Sequence, residues 1–152
     1  MENSNKYTID KLNNLIDMSE DGKEGYENAA ENVKDAGMKS SFSAFANERA
    51  ENTLQLRQIV QQLNGDAEDK GGDSTGTLHR VWIDLKSVFT GGDTDAIINA
   101  CITGEEAAIK EYKSVLDDAE ILESCKFLVG KQLSTIEQAL MSIKAKVHQK
   151  VD

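Results

Sequence analysis

Not one of the 152 residues is proline. Proline breaks helix interiors, because it lacks an N–H and its ring clashes with the carbonyl four residues back. This chain therefore carries no obligatory helix break. Its punctuation comes from eleven glycines, most of them between segments of regular apolar spacing. Aromatic residues make up only 5% of the chain and β-branched runs are short, so strands lack the residues they favour. The reading is an all-α chain, one domain over residues 1–152, long enough to bury a sizeable core.

Apolar spacing of three and four residues predicts five helical segments. The first runs from about Thr8 to Asp35, with Leu12, Leu15, Ile16, Tyr26, Ala30 and Val33 on one face and Gly37 free to end it in a left-handed conformation. The second runs from about Met38 to Asn64 and stops at Gly65. The acidic string "GDAEDKGGDSTG" follows. It lacks the Gly-Lys-Ser/Thr of a phosphate loop and the ligand spacing of an EF-hand, and reads as a plain connection. A short helix is predicted over 77–89 with the stripe Leu78, Trp82, Leu85 and Phe89. The fourth runs from about Thr94 to Leu116, capped by Asp93 or Thr94, and the fifth from about Leu122 to Val147 with Leu128, Val129, Ile136, Leu140 and Ile143 inward.

Two hairpins of long helices, each helix roughly 35–40 Å long, are thus joined by a loop and a short helix. That connector can return the chain from one end of a bundle to the other. Four long helices with one long crossover is the ferritin-like arrangement, here a four-helix bundle whose crossover contains a short fifth helix. A simple up-down bundle with the short helix across one end is the alternative.

The formal net charge is −10, and the seventeen basic residues form no stripe. Nucleic acid and anionic membranes are polyanions, so neither is an expected partner. The first residues are polar and no stretch approaches the ~20 apolar residues of a membrane span; a cytoplasmic protein is the expectation. Cys101 and Cys125 each sit on the apolar stripe of their own helix, roughly 20 Å apart along the bundle, and read as buried free thiols.

Arg49 interrupts the apolar stripe of the second helix, and Glu105 that of the fourth. Converted to heights at helical rise, Tyr26, Arg49, Glu105 and Gln132 fall in one mid-bundle layer, one from each long helix. The structural reading is a buried ion pair between Arg49 and Glu105, with Tyr26 and Gln132 completing its hydrogen bonds. The functional reading is an oxygen-rich metal site for iron or manganese. Glu27 and Glu48 flank their stripes and can swing inward to join Glu105, a donor set suited to hard cations. Two features oppose it: the chain has no Glu-x-x-His, the motif of di-iron bundles, and Arg49 already places a fixed positive charge in the layer. His79 lies off its stripe, and no Ser-His-Asp or Cys-His constellation is in view.

Several strings taken together, "LNNLIDMSEDGKEGYENAAENV", "ERA", "GTLHRVWIDLKSVFTGGD" and "GEEAAIKEY", resemble a bacterial family of ferritin-like four-helix-bundle proteins known as a domain of unknown function. The similarity runs from about Lys11 to Met141. It implies the ferritin-like fold and no activity. Within its pattern Tyr26, Arg49, His79, Trp82 and Glu105 are the positions to test first.

The resulting expectation is a non-enzymatic protein acting through binding or assembly, with a metal-binding ferritin-like protein as the alternative. The outer side of the fifth helix carries a second apolar line, Phe127, Met141 and Ala145 with Ser134 between. Such a strip suits helix–helix association, and a homodimer through this helix is expected.

Overall fold

The computed structural model describes residues 2–67 and 93–151, with side chains over 5–67 and 93–146. Four helices form, and no strand is present among the described residues: α1 (Glu2–Asn32), α2 (Ala36–Gln62), α3 (Thr94–Asp117) and α4 (Glu123–Val151). The short helix expected over 77–89, with His79 and Trp82, lies outside the described residues.

Capping residues set the helix ends. The first helix stops at Asn32, earlier than the expected Asp35, because Asp35 serves the next helix: its carboxylate accepts the Met38 N–H at 2.8 Å. A side-chain acceptor for an otherwise unsatisfied N–H outcompetes a glycine-type ending here. Gly37 accordingly lies in the first turn of α2, not in a left-handed cap. At the far end of α2 the left-handed residue is Asn64, with φ 64°. The Gly65 N–H returns to the Val60 carbonyl at 2.9 Å and the Asn64 N–H to that of Gln61 at 3.0 Å, the paired bonds of a Schellman ending. Gly65 is needed for closeness: a Cβ there would lie 2.8 Å from Ile9. Asp93 caps α3 by accepting the Asp95 N–H at 3.1 Å.

These contacts fix the helix directions. The end of α2 lies beside the start of α1, where Asn13 Nδ2 donates to the Asp66 carbonyl at 3.0 Å. The turn between α3 and α4 is at the same end, since the Leu122 N–H donates to Thr8 Oγ1 at 3.1 Å and the Tyr7 hydroxyl to Asp118. The start of α3 is at the other end, where Ile97, Ile98 and Cys101 pack with Val33, Met38 and Phe42. Helices α1 and α4 therefore point one way, and α2 and α3 the other. Within each hairpin the helices pack directly. Between hairpins α1 meets α3 and α2 meets α4, while the diagonals α2–α3 and α1–α4 do not touch through their backbones.

The apolar stripes close into two clusters. One, toward the α3–α4 turn, contains Leu12, Leu15, Ile16, Leu56, Val60, Tyr112, Val129 and Ile136. The other, toward the α1–α2 turn, contains Tyr26, Phe42, Ala46, Ile97, Cys101 and Ile143. Cys125 belongs to the first cluster and Cys101 to the second; both are buried and free. Between the clusters lies a polar belt. No helix of the described residues is long and apolar enough to cross a membrane.

Candidate functional site

The belt contains four fully or almost fully buried polar side chains that bridge the hairpins: Ser19, Arg49, Glu105 and Gln132. Each rides on the apolar face of its helix, so closing the core forces it inward. Small residues accompany them on these helices. Gly22, Gly25, Ala46, Gly104 and Ala108 are buried nearby. Gly22 packs on Arg49 itself: a Cβ there would stand 3.6 Å from the guanidinium carbon and Nε.

Arg49 Nη2 and Glu105 Oε1 form an ion pair inside the bundle. This contact runs along the α2–α3 diagonal, where no backbone packing joins the two helices. The pair is incomplete: Arg49 Nη1 and Glu105 Oε2 are buried without a hydrogen-bond partner. A second, neutral network goes around the diagonal. Tyr112 donates to Gln132 Oε1 at 2.8 Å and lies 3.5 Å from the Ser19 hydroxyl. Gln132 Nε2 donates to the Asn52 carbonyl at 3.2 Å and to Gln55 Oε1 at 3.0 Å. The Tyr112–Gln132 bond lies within the α3–α4 hairpin, and the contacts of Ser19 with Tyr112 and of Gln132 with Asn52 and Gln55 cross from one hairpin to the other.

The expected layer is thus buried as a set, with altered bonding. Gln132 serves Tyr112, Asn52 and Gln55 where hydrogen bonds to the ion pair were expected. Tyr26 belongs to the second apolar cluster, its ring 5.9 Å from Phe42 and 5.4 Å from Phe45 between centroids, near enough to feel the charge of Arg49. Asn52 and Gln55 are the residues that sequence reasoning missed. Asn52 sits one turn beyond Arg49 on the edge of the same stripe, a signal masked by the polar composition of α2.

The three candidate metal ligands are not brought together. Glu105 is fully buried, whereas Glu27 and Glu48 are exposed. Glu27 faces a surface groove of about 480 Å³ between α1 and α2, beside Glu24, Lys23 and Thr53, where Arg57 pairs with Glu20. Partial burial holds the Glu48 carboxyl above its usual range, against the pull of Arg49. Among the described residues no group of three His, Cys, Asp or Glu side chains is placed to hold a metal ion.

Burial also disfavours the charged forms of the phenols and of the Cys101 thiol. It pushes the Tyr26 phenol well above its ordinary value, raises that of Tyr112, and lifts the Cys101 thiol to about 12. At neutral pH these three groups are neutral, so none of them is a thiolate or phenolate nucleophile. The arrangement joins hairpins and fixes their register.

A family model described as a domain of unknown function (DUF2383) matches residues 7–118. The matched span holds Arg49 and Glu105 and ends before α4, which carries Gln132, Phe127 and Met141. No curated protein matches the chain.

Proposed function

The chain belongs to the DUF2383 family, a domain of unknown function, and on that premise we propose a non-enzymatic, cytoplasmic, ferritin-like bundle that works by assembly, pairing with a second copy through α4. The observation that carries this reading is the outer face of α4, where Phe127 is 82% and Met141 71% exposed. Ser134 and Ala145 share that face and are also exposed.

The spacing suits a two-fold pairing. Phe127 and Met141 stand seven residues on either side of Ser134. In an antiparallel pair with Ser134 on the axis, Phe127 of each copy meets Met141 of its partner. Sulfur–aromatic contact favours that match, and the small serine lets the backbones approach. The ferritin-like reading draws support from the helix directions: α2 ends and α3 begins at opposite ends of the bundle, as in folds with one long crossover. The buried phenols of Tyr26 and Tyr112 and the buried Cys101 thiol, all neutral, favour a non-enzymatic role. The alternative, iron or manganese on Glu27, Glu48 and Glu105, keeps only Glu105 in the core.

Light scattering at tens of micromolar tests the assembly. The expected mass is twice the 16.7 kDa of one chain, falling to one chain in a Phe127→Glu/Met141→Glu variant. A monomeric wild type rejects the reading, and a dimer that survives both substitutions rejects the interface.

A further inference from the structure

Metal-bearing four-helix bundles place carboxylates from all four helices inward, around the ion. They enter here only through the ferritin-like reading of this fold. Among the described residues Glu105 is the one acidic side chain that is fully buried, at 0% exposure, and what meets it there is Arg49, at 2%. We infer that the Arg49 guanidinium is the resident cation of the bundle centre, holding against Glu105 the place that a divalent ion holds in carboxylate-lined bundles, and that it closes the centre to iron and manganese.

Three observations carry this. The first is the donor set. A hard divalent ion needs several oxygen ligands; of the three candidate carboxylates Glu105 alone is in the core, Glu27 and Glu48 being exposed, so an ion there would have to complete its shell with water and competes poorly with the guanidinium. The second is charge. A guanidinium keeps its proton at every attainable pH. A metal ion beside Glu105 would face a permanent positive charge in a medium where such repulsion is weakly screened. The third is fit. Gly22 of α1 lies against the guanidinium, with Cζ and Nε 3.6 Å and Cγ 3.7 Å from where a Cβ would be, ordinary packing distance. Packed there, the side chain reaches across the diagonal to Glu105.

The pair has little to offer as a pure stabiliser. Arg49 Nη1 and Glu105 Oε2 remain without hydrogen bonds, and apolar replacement of such pairs is often neutral or favourable. Its particular effect is to supply one buried positive charge where one buried negative charge stands.

Manganese(II) titration of the full-length protein, freed of metal by chelator and dialysis, tests the assignment by calorimetry and thermal denaturation. Wild type is expected to take up no stoichiometric Mn(II) and to keep its Tm. Arg49→Ala is expected to melt lower and to regain at least about 3 °C with Mn(II), a gain lost in Arg49→Ala/Glu105→Gln. If Arg49→Ala does not fold, Arg49→Gln replaces it in both arms. Stoichiometric metal on wild type that is lost in Glu105→Gln overturns the inference. So does an Arg49 variant that responds to Mn(II) no more than its double variant. Light scattering of the same samples reports the dimer separately, so failure of the assembly reading is distinguishable.

Discussion

The Arg49–Glu105 contact and the Gln132 contacts to α2 cross the same seam between hairpins, and the two side-chain groups are completed to different degrees. The amide of Gln132 uses its oxygen and, through two bonds, its nitrogen, all with neutral partners. The ion pair joins helices that share no backbone contact and leaves a buried nitrogen and a buried oxygen over. A neutral network can set register in a dry core at modest cost, because each group exchanges a water for an equivalent partner. A charge pair has lost far more hydration and depends wholly on its partner. The difference teaches where the bundle is vulnerable: at the diagonal, to the loss of one member.

The largest expected effect tests that dependence. Glu105→Leu or Arg49→Met alone should destabilise by about 3–5 kcal/mol in urea denaturation, by stranding the other charge. Combining them should return stability to the wild-type level or exceed it by about 1–4 kcal/mol. A double variant as unstable as either single one would break the comparison, because the loss would then lie in packing and not in charge.

A smaller effect is expected in the neutral network. Gln132→Leu removes the acceptor of Tyr112 and two donors toward α2, and should cost about 1–3 kcal/mol. Urea midpoints of Gln132→Leu and Glu105→Leu measured side by side sharpen the contrast. Equal losses would show that charge is not what distinguishes the two crossings.

The smallest effect at neutral pH belongs to a third inter-hairpin contact, at the half-buried end of the bundle, where Tyr7 donates to Asp118. That bond holds the Tyr7 hydroxyl up at about 12 and the Asp118 carboxyl below its ordinary range. The raised Tyr7 contributes stability that is complete below its unfolded value near 10 and is lost as pH rises through about 12. The lowered Asp118 contributes stability present above its unfolded value and lost as pH falls through the folded one. Tyr7→Phe should therefore flatten both the acid and the alkaline flank of the stability profile. Unchanged flanks in urea midpoints taken from neutral pH into acid and alkali would remove Tyr7 as their source.

Much of the belt was legible because helical rise converts residue counts into heights. Arg49 and Glu105 interrupt apolar stripes, and counting from the turns put them level with each other and with Gln132. Partner choice was not legible. Gln132 bonds to Asn52 and Gln55 because α4 flanks α2 on that side, an azimuth that counting along one helix does not contain. Glu27 and Glu48 illustrate the same limit. They flank their stripes by sequence, and the rotation of each helix against its neighbour turned both outward. The helix junction failed for a local reason. Asp35, Ala36 and Gly37 allow either a glycine ending or an aspartate start, and the Asp35–Met38 bond selected the start.

The order and extent of the four helices and the inward-facing residues follow from local physics: no proline, a 3.6-residue apolar period, and capping side chains at the ends. Those constraints act within a turn or two and are present before any helix meets another. The diagonal pairing of Arg49 with Glu105 is of another kind. Helices α2 and α3 have no packing of their own, so the contact exists only once two hairpins dock. It was set by the space that four helices enclose together, which no single helix specifies.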